Sequence, residues 1–410
     1  MRVAKWVVGV VVAAVVVGCF IVNAGVTALV LGGVVLVGAA YLYFVHFGRP
    51  RRASRLDTMP VGSWRTVELG PRTMSADGSP YALYVRRGGS ANLVIHFSGG
   101  GACWDGETAS RPITLLRMLR GYTRRLTAFY FASLSRLFPA ALTGLANRRD
   151  PKNPFRDWTF VFIPYTTGDM HVGDTVATYA HDGRELRVHH NGRSNVTTAL
   201  AWVFENCRDV GTVLVSGESS GAWASAFYAP TVADHYEGAQ VCCLSDGAGI
   251  VSPRWPELFD RVWQADTAER LGFRVGDDVY RDALLHRVDA RRRNITYLHA
   301  NTLYDDTLPR FAAALDGRPT TTDAFIDEWA STTAETMRSL EESGLDYRFF
   351  LTDWGHDPRR HTTAHTLTTN ELFHACEAEG VAYSEWLARN VIHGERVSLG
   401  TELVRRARAT

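Results

Sequence analysis

No two of the six cysteines stand in C-x-x-C spacing, so a structural zinc site, which needs paired thiolates a few residues apart, is not expected. Neither sign of charge dominates: 44 Lys and Arg face 43 Asp and Glu. Without a global field there is nothing to attract nucleic acid, and that class of partner is set aside. Internal repeats and low-complexity tracts are also absent, and nothing in the composition points to disorder. What remains is 410 residues, 46% of them hydrophobic, enough for one large domain with a sizeable core plus accessories. Cys19 lies in the apolar N-terminus. Cys103, Cys207, Cys242, Cys243 and Cys376 could form two disulfides with one thiol left over or could all be reduced, and the composition leans towards reduced.

Charge is missing altogether from Trp6 to Phe47, where no Asp, Glu, Lys or Arg occurs. Such a run is roughly twice the ~20 residues that cross a bilayer and too long for a signal peptide. Asn23-Ala24-Gly25 interrupts it, which suggests two spans, about 6–22 and 26–47, joined by a tight turn. Arg2 and Lys5 precede the first, and Arg49, Arg51, Arg52 and Arg55 follow the second. Basic flanks on both sides favour a hairpin with both ends, and hence the rest of the chain, in the cytoplasm. A single exporting anchor competes with this, and Val16-Val17-Gly18-Cys19 loosely fits a lipoprotein box that the continuing apolar run argues against. The organisation expected is a transmembrane region over 1–48, a basic linker over 49–58 and one domain over 59–410.

Beyond the linker, short apolar runs alternate with helical patterns. Candidate strands are Leu93–Phe97, Thr159–Pro164, Thr212–Ser216, Ala239–Leu244, Ile295–His299 and Tyr347–Thr352; Ser194–Glu205, Ala222–Ala233 and Thr322–Glu342 read as helices. This alternation predicts an α/β fold: a mostly parallel sheet with helices on both faces and any chemistry at the carboxyl ends of the strands. The stretch 112–149 departs from it. Leucines and aromatics interleave there with Arg117, Arg120, Arg124, Arg125 and Arg136, and no acid appears before Asp150. The pattern predicts a basic amphipathic helical insertion: an extra layer on the domain, or else a lid or membrane-surface element suited to acyl chains.

One motif carries chemistry. Gly217-Glu218-Ser219-Ser220-Gly221 follows the apolar run Val213–Ser216 and precedes Ala222–Tyr228, so a G-x-S-x-G sits where a buried strand turns into a helix. Small neighbours allow a sharp turn that lifts the Ser219 hydroxyl above the sheet, and the helix N-terminus aims N–H groups at negative charge formed there. Upstream, the strand Leu93–Phe97 runs into Ser98-Gly99-Gly100-Gly101-Ala102-Cys103-Trp104. A glycine loop in that place can be a flexible turn or can present oxyanion donors, and its position ahead of the elbow favours the second.

An acid and a histidine should follow the nucleophile in that order. Asp305 or Asp306 lies just past the strand beginning at Ile295, and Asp246 stands at another strand end as a rival. His356, His361 and His365 follow the last strand. Taken singly, each is more simply a turn or surface residue; their order after Ser219 gives them weight.

These segments together resemble the pectin acetylesterase and Notum family of serine carboxylesterases, in its bacterial form. The resemblance spans most of Leu93–Trp386. Gly99–Trp104 resembles the family's oxyanion segment; Asn153-Pro154-Phe155 leading to Pro164-Tyr165-Thr166-Thr167-Gly168-Asp169-Met170-His171-Val172-Gly173 resembles its N-P-F…P-Y-C-T-G-D-x-H-x-G run, with Thr166 in place of Cys; His190-Asn191-Gly192…Asn195 follows. Ser220 and Ala222 make the elbow bulkier than the family's usual G-x-S-A-G-G. Asn301…Tyr304-Asp305 resembles N-x-x-Y-D and points to Asp305 rather than Asp306. His356 has the local argument of a Gly-His pair after the last strand. His365 heads an H-T-L stretch followed by Phe373, Gly380 and Trp386 at the family's spacing, and is preferred, with His356 as the alternative base.

The resemblance, joined to the apolar N-terminus, implies a membrane-anchored ester hydrolase with Ser219, His365 and Asp305 as a triad. Oxyanion donors are expected around Gly100, Gly101 and Ala102 and at Ser220, with Asp169 and His171 lining or buttressing the pocket. No metal or organic cofactor is implied. Partners would be an acylated small molecule, glycan or lipid, and the membrane. A lipase or thioesterase for longer acyl chains, and a non-catalytic scaffold that kept the fold, are the competing expectations.

Overall fold

A computed structural model describes residues 24–46, 50–113, 129–134, 139, 142–286, 294–318 and 321–406. The chain divides into two units, one holding the N-terminal residues through Pro50 and the other most of Arg51–Thr410.

In the first unit, Ala24–His46 forms one helix (α1) of 23 residues. The side chains described in it fall within 25–40, about 24 Å of helical rise at 1.5 Å per residue. Among the described residues no helix is long and apolar enough to cross a membrane. The first expected span, 6–22, lies outside the described residues, so the structure lends the two-span hairpin no support.

The second unit is built on a nine-stranded sheet. In chain order its strands are β1 (Arg51–Arg52), β2 (Trp64–Glu68), β3 (Ala82–Arg86), β4 (Leu93–Phe97), β5 (Thr159–Ile163), β6 (Thr212–Glu218), β7 (Gln240–Asp246), β8 (Ile295–Thr302) and β9 (Tyr347–Thr352). Their spatial order is β1-β2-β3-β5-β4-β6-β7-β8-β9. From β5 through β9 every neighbour is parallel, while β3 runs antiparallel to both β2 and β5. The expected α/β architecture is what forms, and all six candidate strands are present.

The central strands are buried along nearly their whole length, which is why they read as continuous apolar runs rather than alternating ones. Helices Gly192–Asn206 and Ser220–His235 extend two of the expected ones by one or two residues at each end, and Asp323–Glu342 matches the third except that Thr322 is its N-cap. Ser220–His235 is buried almost throughout. Its small residues Ala222, Ala224, Ser225, Ala226 and Ala229 bring it close to the sheet, and the Ser225 hydroxyl sits 2.9 Å from the Leu244 carbonyl of β7.

Most of the expected insertion 112–149 lies outside the described residues. Where it is described, Pro112–Ile113 pairs in parallel with Tyr130–Phe131, and Gly144–Ala146 forms a short 3-10 turn. The five described cysteines are all free and buried.

Candidate active site

The parallel strands deliver the candidate residues to one edge of the sheet. Ser219 follows β6 directly, the glycine loop follows β4, Asp246 ends β7, Asp305 follows β8 and His365 follows β9. This is the carboxyl edge, where open α/β sheets hold their chemistry.

Ser219 is the pivot between strand and helix. Its backbone sits at φ 54° and ψ −129°, a conformation that costs a non-glycine residue on the order of 1–3 kcal/mol and persists only where its surroundings enforce it. They do so on both sides. A Cβ on Gly217 would come 1.8 Å from the Gly221 carbonyl oxygen, and one on Gly221 would come 2.1 Å from that of Phe97. Only glycine permits this approach. The Ser219 N–H donates to the Asp246 carbonyl (2.8 Å), and the Ala222 N–H to the Ser219 carbonyl (2.7 Å).

Facing the serine is the glycine loop, so close that a Cβ on Gly99 would lie 2.7 Å from the Ser219 Cβ. The Ala102 N–H already donates to Phe129 O (2.9 Å), and the Cys103 N–H to Gly168 O (2.8 Å). Ala102 was expected among the oxyanion donors. Its bond to Phe129 takes it out of that set and leaves the Gly100 and Gly101 N–H groups as the loop's candidates. Across the elbow, the Ser220 N–H heads its helix, where no preceding turn can accept it. The Ser220 side chain is buried and its hydroxyl has no hydrogen-bond partner.

Asp305 is 1% exposed. One of its oxygens accepts the N–H groups of Thr307 and Leu308, each at 2.8 Å, at the start of helix Leu308–Leu315. The other lies 2.7 Å from His365 Nδ1. Asp306 instead accepts the Thr307 hydroxyl (2.7 Å). His365 Nε2 is buried with no hydrogen-bond partner. Burial alone would lower the His365 pKa, but the carboxylates of Asp305 first, then Asp306 and Asp246, together raise it above its ordinary value.

His365 packs near the end of β7. A Cβ on Gly247 would meet His365 Cε1 at 3.2 Å, and Gly247 is next in chain to Asp246, whose carbonyl holds Ser219. Two staples fix the chain beyond the histidine. The Asp246 carboxylate accepts the Leu367 and Thr368 N–H groups and the Thr368 hydroxyl (2.7, 2.8 and 2.6 Å). The Thr369 hydroxyl meets the carboxylate of Glu218, the residue before Ser219 (2.8 Å). Burial would raise the Glu218 pKa, yet His96 and Thr369 hold it below its ordinary value.

His356 is elsewhere. Its Nε2 lies 3.3 Å from His361 Nδ1, His361 Nε2 lies 2.8 Å from Asp327, and both rings pack on Tyr304. The structure brings His365, not His356, to Asp305.

Asp169 and His171 buttress the site from below. Asp169 accepts the Thr167 hydroxyl (2.6 Å) and the N–H groups of Gly192 (2.8 Å) and His171 (3.1 Å), and burial pushes its pKa up to about 6. His171 stacks on Tyr165 and its Nε2 reaches the Ser98 carbonyl at 3.1 Å. Burial lowers it to about 4, so it is neutral at physiological pH and supports the glycine loop as a hydrogen-bond donor. The other motif residues are staples too. Asn153 binds the carbonyls of Gly144, Leu145 and Asn147, His190 binds the Thr167 carbonyl, and Asn195 pairs with both backbone groups of Met74.

The pectinacetylesterase family model matches residues 71–253. Over that span the chain is similar to the pectinacetylesterase family. No curated protein matches it. The matched span takes in the glycine loop, the Asp169–His171 buttress, the elbow and Asp246, and it ends before Asp305 and His365. Esterase chemistry in general thus comes with the pectinacetylesterase family, while the carboxylate–imidazole pair is placed by geometry outside the match. Glu218, Thr369 and the staple made by Asp246 escaped sequence reasoning. Glu218 was the variable residue of a motif, and a threonine pair after a histidine carries no signal until the fold closes.

Proposed function

We propose that this chain is a serine carboxylic ester hydrolase that works through Ser219, His365 and Asp305. The observation that carries the reading is the His365 ring: Nδ1 is engaged by Asp305 at 2.7 Å while Nε2 is left without a partner, at the same sheet edge as a serine held in the strained backbone of a nucleophile elbow.

Ser219 Oγ attacks the ester carbonyl carbon as its proton passes to His365 Nε2, and the carbonyl π pair moves onto oxygen. Asp305 holds the imidazole in the tautomer with hydrogen on Nδ1 and stabilises the imidazolium. Collapse of the tetrahedral adduct expels the alcohol, which takes the proton from Nε2. Water then repeats the sequence on the acyl-serine and releases the acid. The N–H groups of Gly100, Gly101 and Ser220 face the developing oxyanion, each donor worth about 3 kcal/mol. Strain at Ser219 and the close fit of Gly99 pre-position the nucleophile rather than stabilise the fold.

The uncharged run from Trp6 to Phe47 and the arginines after it support a membrane anchor, and basic flanks on both sides favour the cytoplasm over the outside for the hydrolase. The substrate class is an acylated small molecule, glycan or lipid. Ser219→Ala is expected to abolish p-nitrophenyl acetate hydrolysis with thermal stability retained. Ser220→Ala, which keeps its backbone N–H, should stay within a few-fold of wild type. Equal loss in both would overturn the assignment of the nucleophile.

A further inference from the structure

Asp246 is a buried carboxylate that the proposed mechanism does not use, yet it touches both halves of the site. It ends β7, in register with Glu218 on β6 and Ala300 on β8. Its main-chain carbonyl accepts the Ser219 N–H at 2.8 Å. Its Oδ2 collects three donors from the segment just after the base: Leu367 N–H (2.7 Å), Thr368 N–H (2.8 Å) and the Thr368 hydroxyl (2.6 Å). The Thr368 oxygen lies in turn 2.9 Å from Tyr383 Oη. With its own proton committed to Asp246, Thr368 accepts from the tyrosine. A carboxylate without a counter-cation is costly to bury, and several donors to one oxygen are what make it tolerable.

We propose that Asp246 is a positioning residue that couples nucleophile to base: one residue fixes the Ser219 backbone through its carbonyl and the His365 segment through its carboxylate, so that the two reacting groups share a register. The inference rests on the ester-hydrolase reading above. An error of about 1 Å in such a pair can cost on the order of a hundredfold in rate, which gives a tether of this kind its kinetic weight. The carboxylate also has an electrostatic part in the work. Its charge is among those that favour the imidazolium of His365, alongside Asp305 and Asp306. The titratable groups that interact with Asp246 are His365, Glu218 from β6, Thr368-bound Tyr383 and Cys376. Burial comes first among the influences on its own pKa, which is pushed up to about 6.

The test uses the full chain and p-nitrophenyl acetate, with three variants that separate tether from charge. Asp246→Asn keeps an oxygen for the three donors and removes the charge. We expect kcat within about fivefold of wild type and an acid limb of kcat/KM displaced to lower pH. Asp246→Ala removes the tether as well, with kcat expected to fall about a hundredfold while KM stays within about twofold. Thr368→Val removes one of the three contacts and keeps the charge, so kcat should fall several-fold with the acid limb unmoved, and it carries the test if the alanine variant does not fold. Wild-type kcat per folded molecule in Asp246→Ala or Thr368→Val, with only thermal stability lowered, would overturn the proposal. So would an unmoved acid limb in Asp246→Asn. Failure of the wild-type protein itself to turn over the ester would instead remove the hydrolase reading on which the proposal stands.

Discussion

Asp305→Asn changes one atom in the carboxylate that orients the candidate base, and the structure dictates how the new amide must sit. The Thr307 and Leu308 N–H groups both donate to one Asp305 oxygen at 2.8 Å, so the asparagine keeps its carbonyl oxygen there and turns its NH2 towards His365. The partner atom, Nδ1, lies at 2.7 Å in the native site and would then have to accept a hydrogen bond instead of donating one. That places the ring proton on Nε2, the nitrogen that must receive the serine proton. Wrong-tautomer variants of serine triads lose about 10⁴ in kcat, equivalent to about 5.4 kcal/mol of transition-state stabilisation. Steady-state hydrolysis of p-nitrophenyl acetate at equal fold content measures it, and KM should change little because the acyl group is not bound by Asp305. Asp306→Asn is the matched control. Its carboxylate accepts the Thr307 hydroxyl and does not touch the ring, so kcat should stay within a few-fold of wild type. Turnover of Asp305→Asn within about tenfold of wild type, or equal loss in the two variants, would refute the reasoning.

Two further outcomes follow from the same geometry and a third from the charges flanking the apolar N-terminus. His365→Ala should lose several orders of magnitude in kcat while His356→Ala, whose partners are His361 and Tyr304, stays near wild type; the reverse pattern would move the base. Because the nearby carboxylates, Asp305 foremost, offset burial and raise the His365 pKa, and the base must be neutral to act, kcat/KM should fall as pH drops through a midpoint above the ordinary value of 6.5. A midpoint below that value would contradict the electrostatics of the pair. For topology, a reporter fused at the C-terminus should be active only in the cytoplasm, and a reporter active solely outside would replace the hairpin with an exporting anchor.

How far these elements could be read in advance depended on how locally each was encoded. Thr212–Ser216 and Ile295–His299 announced themselves as strands because burial on both faces demands unbroken apolar runs, and the structure extends them only at their polar ends, to Glu218 and Thr302. Trp64–Glu68 went unnoticed because it lies near the sheet edge, where only Val67 is buried and the pattern is mixed. Ser219 was legible from its glycines, whose necessity shows in the contacts a Cβ would make. Between His356 and His365, the local Gly-His pair favoured the first and the family-like spacing beyond the second favoured His365, since a loop with its own hydrogen bonds separates β9 from it. A parallel bridge between Thr363 and Asp305, which only the closed fold creates, brings His365 to the carboxylate. Ala102 shows the opposite limit. A glycine-rich loop foretells donors, but which N–H remains available depends on Phe129, a residue 27 positions away.

The most direct test of the hydrolase assignment is covalent: incubate the full chain with a fluorophosphonate ester and map the adduct by mass spectrometry. Stoichiometric modification at Ser219, slowed at least a hundredfold in His365→Ala, is the predicted result. An unmodified Ser219 in a protein that still hydrolyses p-nitrophenyl acetate would contradict it.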